Sequence, residues 1–135
     1  MMLVENIRKY YKADYNCAET LILAGNETYG LGLDEKAVKL MAGFGGGCGC
    51  GHFCGALAGA LGILSILTIG ERAHITPNFG PVRAEFMAKY EEKLGSFLCS
   101  DLKPKYRTEE NGCLKTCELT GEVLAAYIAE KGLVK

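Results

Sequence analysis

Residues 3–12 place Leu3, Val4, Ile7, Tyr10 and Tyr11 at helical spacing, with Glu5, Arg8, Lys9 and Lys12 on the opposite face. Asp14, Tyr15 and Asn16 interrupt the pattern. Asn16 is a favourable N-cap and Glu19 follows three residues later, so a second helix is predicted over 17–29, with Cys17 in its first turn. Gly30 to Leu33 reads as a turn, and Asp34 caps a third helix that ends at Gly43. An apolar helix is predicted over 52–69. Its 17 residues from Phe53 to Ile69 carry no charge, the lower edge of a membrane span. No aromatic belt or flanking basic cluster accompanies it, so it reads as a central core helix, not as an integral membrane segment. Gly55, Gly59 and Gly62 smooth one side of it for close packing. A loop over 71–81 holds His74, Pro77 and Pro81. Residues 82–94 are amphipathic, with Val82, Phe86, Met87, Tyr90 and Leu94 on the apolar side. Gly95 ends that helix. A short segment starts at 96–99 and is closed by Pro104, 108–112 is a polar loop, and a last helix covers 113–131 up to Gly132. No stretch reads as a strand or a repeat. The expectation is an all-α single domain over 1–135, a bundle of about six helices around the central glycine-rich apolar helix.

Composition narrows the function. A chain of 135 residues suits one domain with a sizeable core. Fifteen basic and sixteen acidic residues leave a net charge of −1, so nothing favours nucleic acid as a partner. The first nine residues break their apolar run with charge, which is unlike a signal peptide. The expected location is therefore cytoplasmic, where thiols stay reduced. Seven cysteines are an odd number and cannot all pair internally. Clustered thiols in that setting point to metal binding or redox chemistry more than to stapling.

The thiols concentrate at one junction. Residues 43–59 hold Cys48, Cys50, Cys54, His52 and eight of the 18 glycines. The first half is too glycine-rich for a regular element, and the second runs into the apolar helix. Amides at a helix start favour negative charge, so a cysteine there ionises more readily, and the thiolate is the reactive and metal-binding form. Cys50 and Cys54 are four apart, as are Cys113 and Cys117, and each pair shares a face if helical. No C-x-x-C, zinc-knuckle or ferredoxin spacing is present. No G-x-G-x-x-G register fits, and the loop follows a helix, which excludes the dinucleotide fingerprint. Cys48 and Cys50 read as reactive or metal-binding, Cys113 as peripheral. His52 is a surface residue beside the motif, and His74 is incidental.

Cys54-Gly55-Ala56-Leu57-Ala58-Gly59 reads C-G-A-x-x-G and resembles the core motif of the redox-active protein family named for its C_GCAxxG_C_C pattern. Asn16-Cys17-Ala18-Glu19, Phe44-Gly45-Gly46-Gly47, Gly95-Ser96-Phe97-Leu98-Cys99 and Cys117-Glu118-Leu119 resemble its other landmarks, in the right order. The resemblance implies a small helical redox protein with four functional cysteines: Cys17, Cys54, Cys99 and Cys117. It implies an association with transport genes but no set substrate. A similar module occurs in split-Soret cytochromes, which implies that the four thiols hold an iron–sulfur cluster. Cys48, Cys50 and Cys113 look like additions. The expected centre is a cluster or another thiophilic metal such as zinc on those four cysteines, with amides of the loop at Gly47, Gly49 and Gly51 offsetting its charge. The competing expectation is a metal-free thiol–disulfide oxidoreductase in which Cys54 attacks and Cys50 resolves. Other readings are a metal-trafficking module that captures its cargo at Cys48 and Cys50, and a helical bundle with incidental cysteines. A redox partner is unidentified, and a homodimer is compatible with the pattern. All readings of a shared centre require distant sulfurs to meet at the start of the apolar helix.

Overall fold

The computed structural model describes residues 2–134. It contains α1 (Met2–Lys12), α2 (Cys17–Tyr29), α3 (Glu35–Met41), α4 (Gly55–Thr68), α5 (Phe79–Leu94), α6 (Cys99–Tyr106) and α7 (Leu114–Lys131). No strand occurs among the described residues, only two isolated antiparallel bridges. The fold is all-α, as expected, with six helices around the apolar α4 among the described residues. The short segment that starts at 96–99 forms α6, which runs through Pro104 instead of stopping there. Proline removes one amide from the helix ladder, and this one sits on the exposed side of a two-turn helix.

Local chemistry sets most boundaries. The Asn16 side chain accepts from the Glu19 amide at 3.0 Å, and the Glu19 carboxylate accepts from the Asn16 amide at 3.0 Å, a complete capping box at the head of α2. Asp34 caps α3 by accepting from the Ala37 amide at 2.9 Å. Gly30, Gly95 and Gly132 close α2, α5 and α7 in left-handed conformations. The helix predicted over 52–69 is shorter. Its first helical residue is Gly55, with Cys54 as N-cap, and it ends at Thr68. At 14 residues it spans about 21 Å. No described helix is long and apolar enough to cross a membrane.

The core lies where α4 crosses α2, with α1, α5 and α7 around them. Leu3, Ile7, Leu21, Leu57, Ile63, Leu64, Phe86, Tyr90, Leu94, Leu124 and Tyr127 are its largest buried side chains. Small residues bring α2 and α4 into close contact. A Cβ at Gly59 would lie 2.7 Å from the Leu21 Cβ and 2.9 Å from the Ala18 carbonyl oxygen. One at Gly62 would meet its neighbours at 3.4 Å or more. Their substitutions therefore differ in sign. Gly59→Ala is expected to lower unfolding stability by about 1–3 kcal/mol through overpacking against backbone. Gly62→Ala is expected to be neutral or to add up to about 1 kcal/mol from helix propensity. Urea unfolding of the two variants checks this, and equal losses at both positions would contradict the packing.

Candidate functional site

The site is built around a backbone clamp. Phe53 and Leu98 face each other in an isolated antiparallel bridge. The Cys54 amide donates to the Phe97 carbonyl at 2.8 Å, and the Cys99 amide donates to the His52 carbonyl at 2.6 Å. The starts of α4 and α6 are thereby tied side by side, with Cys54 as N-cap of one and Cys99 as first residue of the other. Two glycines let the neighbours close in. Gly47 is buried with φ +64, and a Cβ there would lie 2.6 Å from both the Cys99 Cβ and the His52 nitrogen. A Cβ at Gly55 would lie 2.5 Å from the Cys17 sulfur. The absent Gly55 side chain is thus what admits Cys17, the first residue of α2, to the head of α4. Asn16 secures that approach by donating to the Ala42 carbonyl at 2.9 Å.

A second small bridge delivers α7. Thr108 and Gly112 exchange backbone hydrogen bonds of 3.0 and 2.8 Å, which sets Arg107 beside Cys113. The Arg107 guanidinium donates to the Cys113 sulfur at 3.0 Å. The Cys113 amide donates to the Tyr11 hydroxyl oxygen at 2.7 Å, and Cys113 is the N-cap of α7. Cys117, one turn further on, is fully buried.

Cys17, Cys54, Cys99 and Cys113 line one small, mostly enclosed cavity together with Gly55, Leu102, Lys103 and Thr116. Its volume is about 20 Å³, room for one water-sized body. All seven thiols are free. Each wall cysteine sits at the N-terminal end of a different helix, where the positive end of the dipole favours negative charge. Burial acts in the other direction. It pushes the Cys17 thiol up, against the pull of the Gly46 and Ala18 amides. It also raises Cys99, opposed by the Lys103 charge. It drives Cys117 well above the ordinary range, and the nearby Cys17, Cys54 and Cys113 add to that rise. These three thiols are therefore neutral near pH 7 unless a cation is present.

Tyr90 is the functional side chain that sequence reasoning missed. It reads there as one more residue on the apolar face of α5, yet its buried hydroxyl donates to the Cys54 sulfur at 3.3 Å. Burial, then the Cys54 charge, raise its titration far above any physiological pH, so it is a permanent donor. Thr120 lies 3.4 Å from the Tyr90 oxygen and donates its own proton to the Thr116 carbonyl at 2.8 Å. The only hint in the sequence is the residue type, because a buried tyrosine hydroxyl needs a partner.

Other placements depart from expectation. Cys113, read as peripheral, is on the cavity wall. Cys50 and Cys54 do not share a helix face, because α4 begins after Cys54 and the backbone over Gly47–Gly51 is irregular. Gly46 through Gly49 turn left-handed, including Cys48 at φ +62. Cys48 and Cys50 are exposed and off the cavity, with the Cys50 sulfur 3.5 Å from the Gly47 carbonyl. Of the three loop glycines expected to cradle a cofactor, Gly47 packs against Cys99 and Gly51 lies by Ser100, while Gly49 adjoins open space. His52 and His74 are exposed. As the side chains stand, no three His, Cys, Asp or Glu among the described residues are close enough to hold a metal ion. The donor set is that of a thiophilic metal, but the space suits a single ion. A multi-iron cluster would require the wall to move outward.

A family model described as "Putative redox-active protein (C_GCAxxG_C_C)" matches residues 15–127, a span that includes all seven cysteines. An uncharacterized protein of Archaeoglobus fulgidus is 35% identical over 99 residues, which covers 66% of this chain and 66% of the relative. No solved structure matches the chain.

Raised thiols give a signed pH dependence. The unfolded chain loses the protons of Cys17, Cys99 and Cys117 near the ordinary thiol value of 9.0, before the folded chain does. Their contribution to stability is complete below that value and is lost as pH rises through it toward the folded values. The melting temperature of the reduced, metal-free protein is expected to fall between about pH 8 and 10, and to fall less in Cys117→Ala. Alkylation followed by mass spectrometry is expected to label Cys48 and Cys50 first and Cys117 last.

Proposed function

This chain belongs to the family described as Putative redox-active protein (C_GCAxxG_C_C), and on that premise we propose that its inner thiols form one redox centre that holds a thiophilic metal. Cys17, Cys54, Cys99 and Cys117 are the proposed ligands. An iron–sulfur cluster, for which the wall must move outward, is the proposed occupant, with zinc, a single ion, as the alternative. The supporting observation is that three of the proposed ligands, Cys17, Cys54 and Cys99, line one small cavity from three helix starts; Cys113 holds the fourth wall position, and Cys117 is buried one turn behind it on α7. A dithiol couple needs two sulfurs, whereas four thiolates are a common ligand set for iron–sulfur and zinc centres. A cation also resolves the electrostatic conflict of the site, because a coordinating thiol is deprotonated outright despite burial.

When bound, a cluster would supply one-electron transfer. The chain's own residues have separate tasks. The clamp between 52–54 and 97–99 holds Cys54 and Cys99 in register. Gly47 and Gly55 permit close approach, and the helix ends offset anionic charge. Tyr90 donates to the Cys54 sulfur and so favours the more negative, reduced state. The electron partner is proposed to be transport-associated and cytoplasmic, and a homodimer is compatible with the fold.

A metal-free thiol–disulfide couple is the second reading. It is favoured by the size of the cavity and by the absence, among the described residues, of three ligands within coordinating reach. In it two wall thiols lose two protons and two electrons to an external acceptor and form one disulfide. Cys50, the resolving thiol expected from the sequence, is outside the cavity, so Cys17 or Cys99 would pair with Cys54.

Anaerobic purification separates the readings. Iron and acid-labile sulfide in stoichiometric amounts, with visible absorption lost in Cys54→Ser, is the expected result. Bound zinc without colour indicates the alternative occupant. Metal-free protein with a reversible two-electron thiol couple favours the second reading, and protein lacking both ends the case for a redox centre. In the metal-loaded protein Tyr90→Phe is expected to lower the midpoint potential by roughly 50 mV, about tenfold in equilibrium constant for one electron.

A further inference from the structure

The glycine loop between α3 and α4 holds two thiols outside the cavity. Cys48 and Cys50 are exposed, one on each side of Gly49. The base of their segment is fixed. The Gly47 carbonyl accepts from the His52 amide at 2.9 Å, and Gly47 packs against Cys99. The tip is free, since nothing lies within 4 Å of where a Cβ at Gly46 or Gly49 would stand. No Asp, Glu, Lys or Arg occurs between Lys39 and Glu71, so the loop brings no such charge of its own.

Two features set this pair apart from ordinary surface cysteines. The first is backbone strain. Cys48 has φ +62, and Asp14 is the other non-glycine residue with positive φ among the described residues. Glycine takes this conformation freely and aspartate is tolerated in it, whereas the Cβ of a cysteine makes it costly. Gly46, Gly47, Gly49 and Gly51 take it around Cys48, so one more glycine would suit the loop better than a thiol. Outliers of this kind cluster at functional sites. The second feature is spacing. Gly49 stands at φ 78, ψ 3. This compact left-handed conformation repeats helical spacing in mirror image and sets the α-carbons of Cys48 and Cys50 about 5.4 Å apart. A disulfide joins α-carbons roughly 4.4–6.8 Å apart. The Cys50 sulfur lies 3.5 Å from the Gly47 carbonyl, and the open tip leaves room for both side chains to rotate toward each other.

We infer that Cys48 and Cys50 form a second redox couple, a surface dithiol that exchanges with low-molecular-weight disulfides independently of the inner centre. One loop sulfur attacks R–S–S–R. A mixed disulfide forms, the S–S bond of the reagent breaks, and the first R–SH leaves with the proton of the attacking thiol. The other loop sulfur then attacks the mixed disulfide, closes the Cys48–Cys50 bond and releases the second R–SH. Two thiols lose two protons and two electrons, and one R–S–S–R becomes two R–SH. A ring closed by residues two apart is small, so its disulfide is strained and readily reduced again, which suits turnover more than stapling.

The test uses reduced full-length protein under anaerobic conditions, with oxidised glutathione as the sole oxidant, then acid quenching, alkylation and tandem mass spectrometry. The expected product is a Cys48–Cys50 disulfide without bound glutathione. Cys48→Ser and Cys50→Ser are each expected to stop at the mixed disulfide, with glutathione retained on the remaining loop thiol. Gly49→Val disfavours the compact conformation, because positive φ excludes a β-branched residue, while its side chain meets open space. It is expected to lower the equilibrium constant for ring closure in glutathione buffers about tenfold, with helical circular dichroism unchanged. Cys54→Ser is expected to keep the couple. That variant separates this inference from the inner-thiol readings, which are judged on metal content and visible absorption. Glutathione retained on either loop thiol of the unsubstituted protein, a link from either one to Cys54, or an unchanged constant in Gly49→Val overturns the inference.

Discussion

Two backbone hydrogen bonds, from the amide of Cys54 to Phe97 and from the amide of Cys99 to His52, hold the rest of the site in place. They join segments far apart in the chain at a point where neither is helical. On one side of this junction α4 begins, and on the other α6. Any sulfur at either start must then face the same small volume. The junction exists only because Gly47 lacks a side chain, since a Cβ there would strike both Cys99 and the backbone of His52. Backbone pairs of this kind are also costly to leave unmade once buried, which makes the arrangement rigid.

The same junction creates an electrostatic tension. Thiols are collected where four helix dipoles point their positive ends, yet Cys54 and Cys99 are buried and Cys17 and Cys113 half-buried there. The dipoles favour thiolates, and burial disfavours them more strongly at Cys17, Cys99 and Cys117. A centre of this type is inert until something supplies positive charge. Inside the cavity a metal would do so. At its edge the Arg107 guanidinium donates to the Cys113 sulfur at 3.0 Å. Tyr90 acts between these limits. It holds a neutral donor on the Cys54 sulfur at all accessible pH values.

Packing elsewhere supports this geometry through close contacts more than through large side chains. α4 is apolar on every side, and the glycines on it let α2 approach until Leu21 and Ala18 touch its backbone. That approach carries Cys17, at the head of α2, to Gly55 at the head of α4. The far end of α4 is less constrained, and Ile66 is half exposed there. Constraint is therefore concentrated at the end that holds the sulfurs.

Helix positions were legible along the chain because they depend on neighbours. Asn16 with Glu19, Asp34, Gly30, Gly95 and Gly132 act within one turn of where they stand, and the structure uses each as its residue type suggests. The cysteine spacing together with the C-G-A-x-x-G run pointed to one thiol site near the start of the apolar helix. Cys50 and Cys54 do not share a helix face, since the register of a glycine-rich loop carries no periodic signal and its backbone turns left-handed. The short segment closed by Pro104 in the local reading continues as α6 to Tyr106, because a local rule cannot see that a short surface helix tolerates a missing amide. Cys113 and Tyr90 acquire their places from contacts between segments distant in the chain. Local propensity and apolar patterning determined the places of most helices on their own. Only the tertiary structure decided which sulfurs share a cavity, because a hydrogen bond or a missing Cβ between remote segments leaves no mark on the sequence around either one.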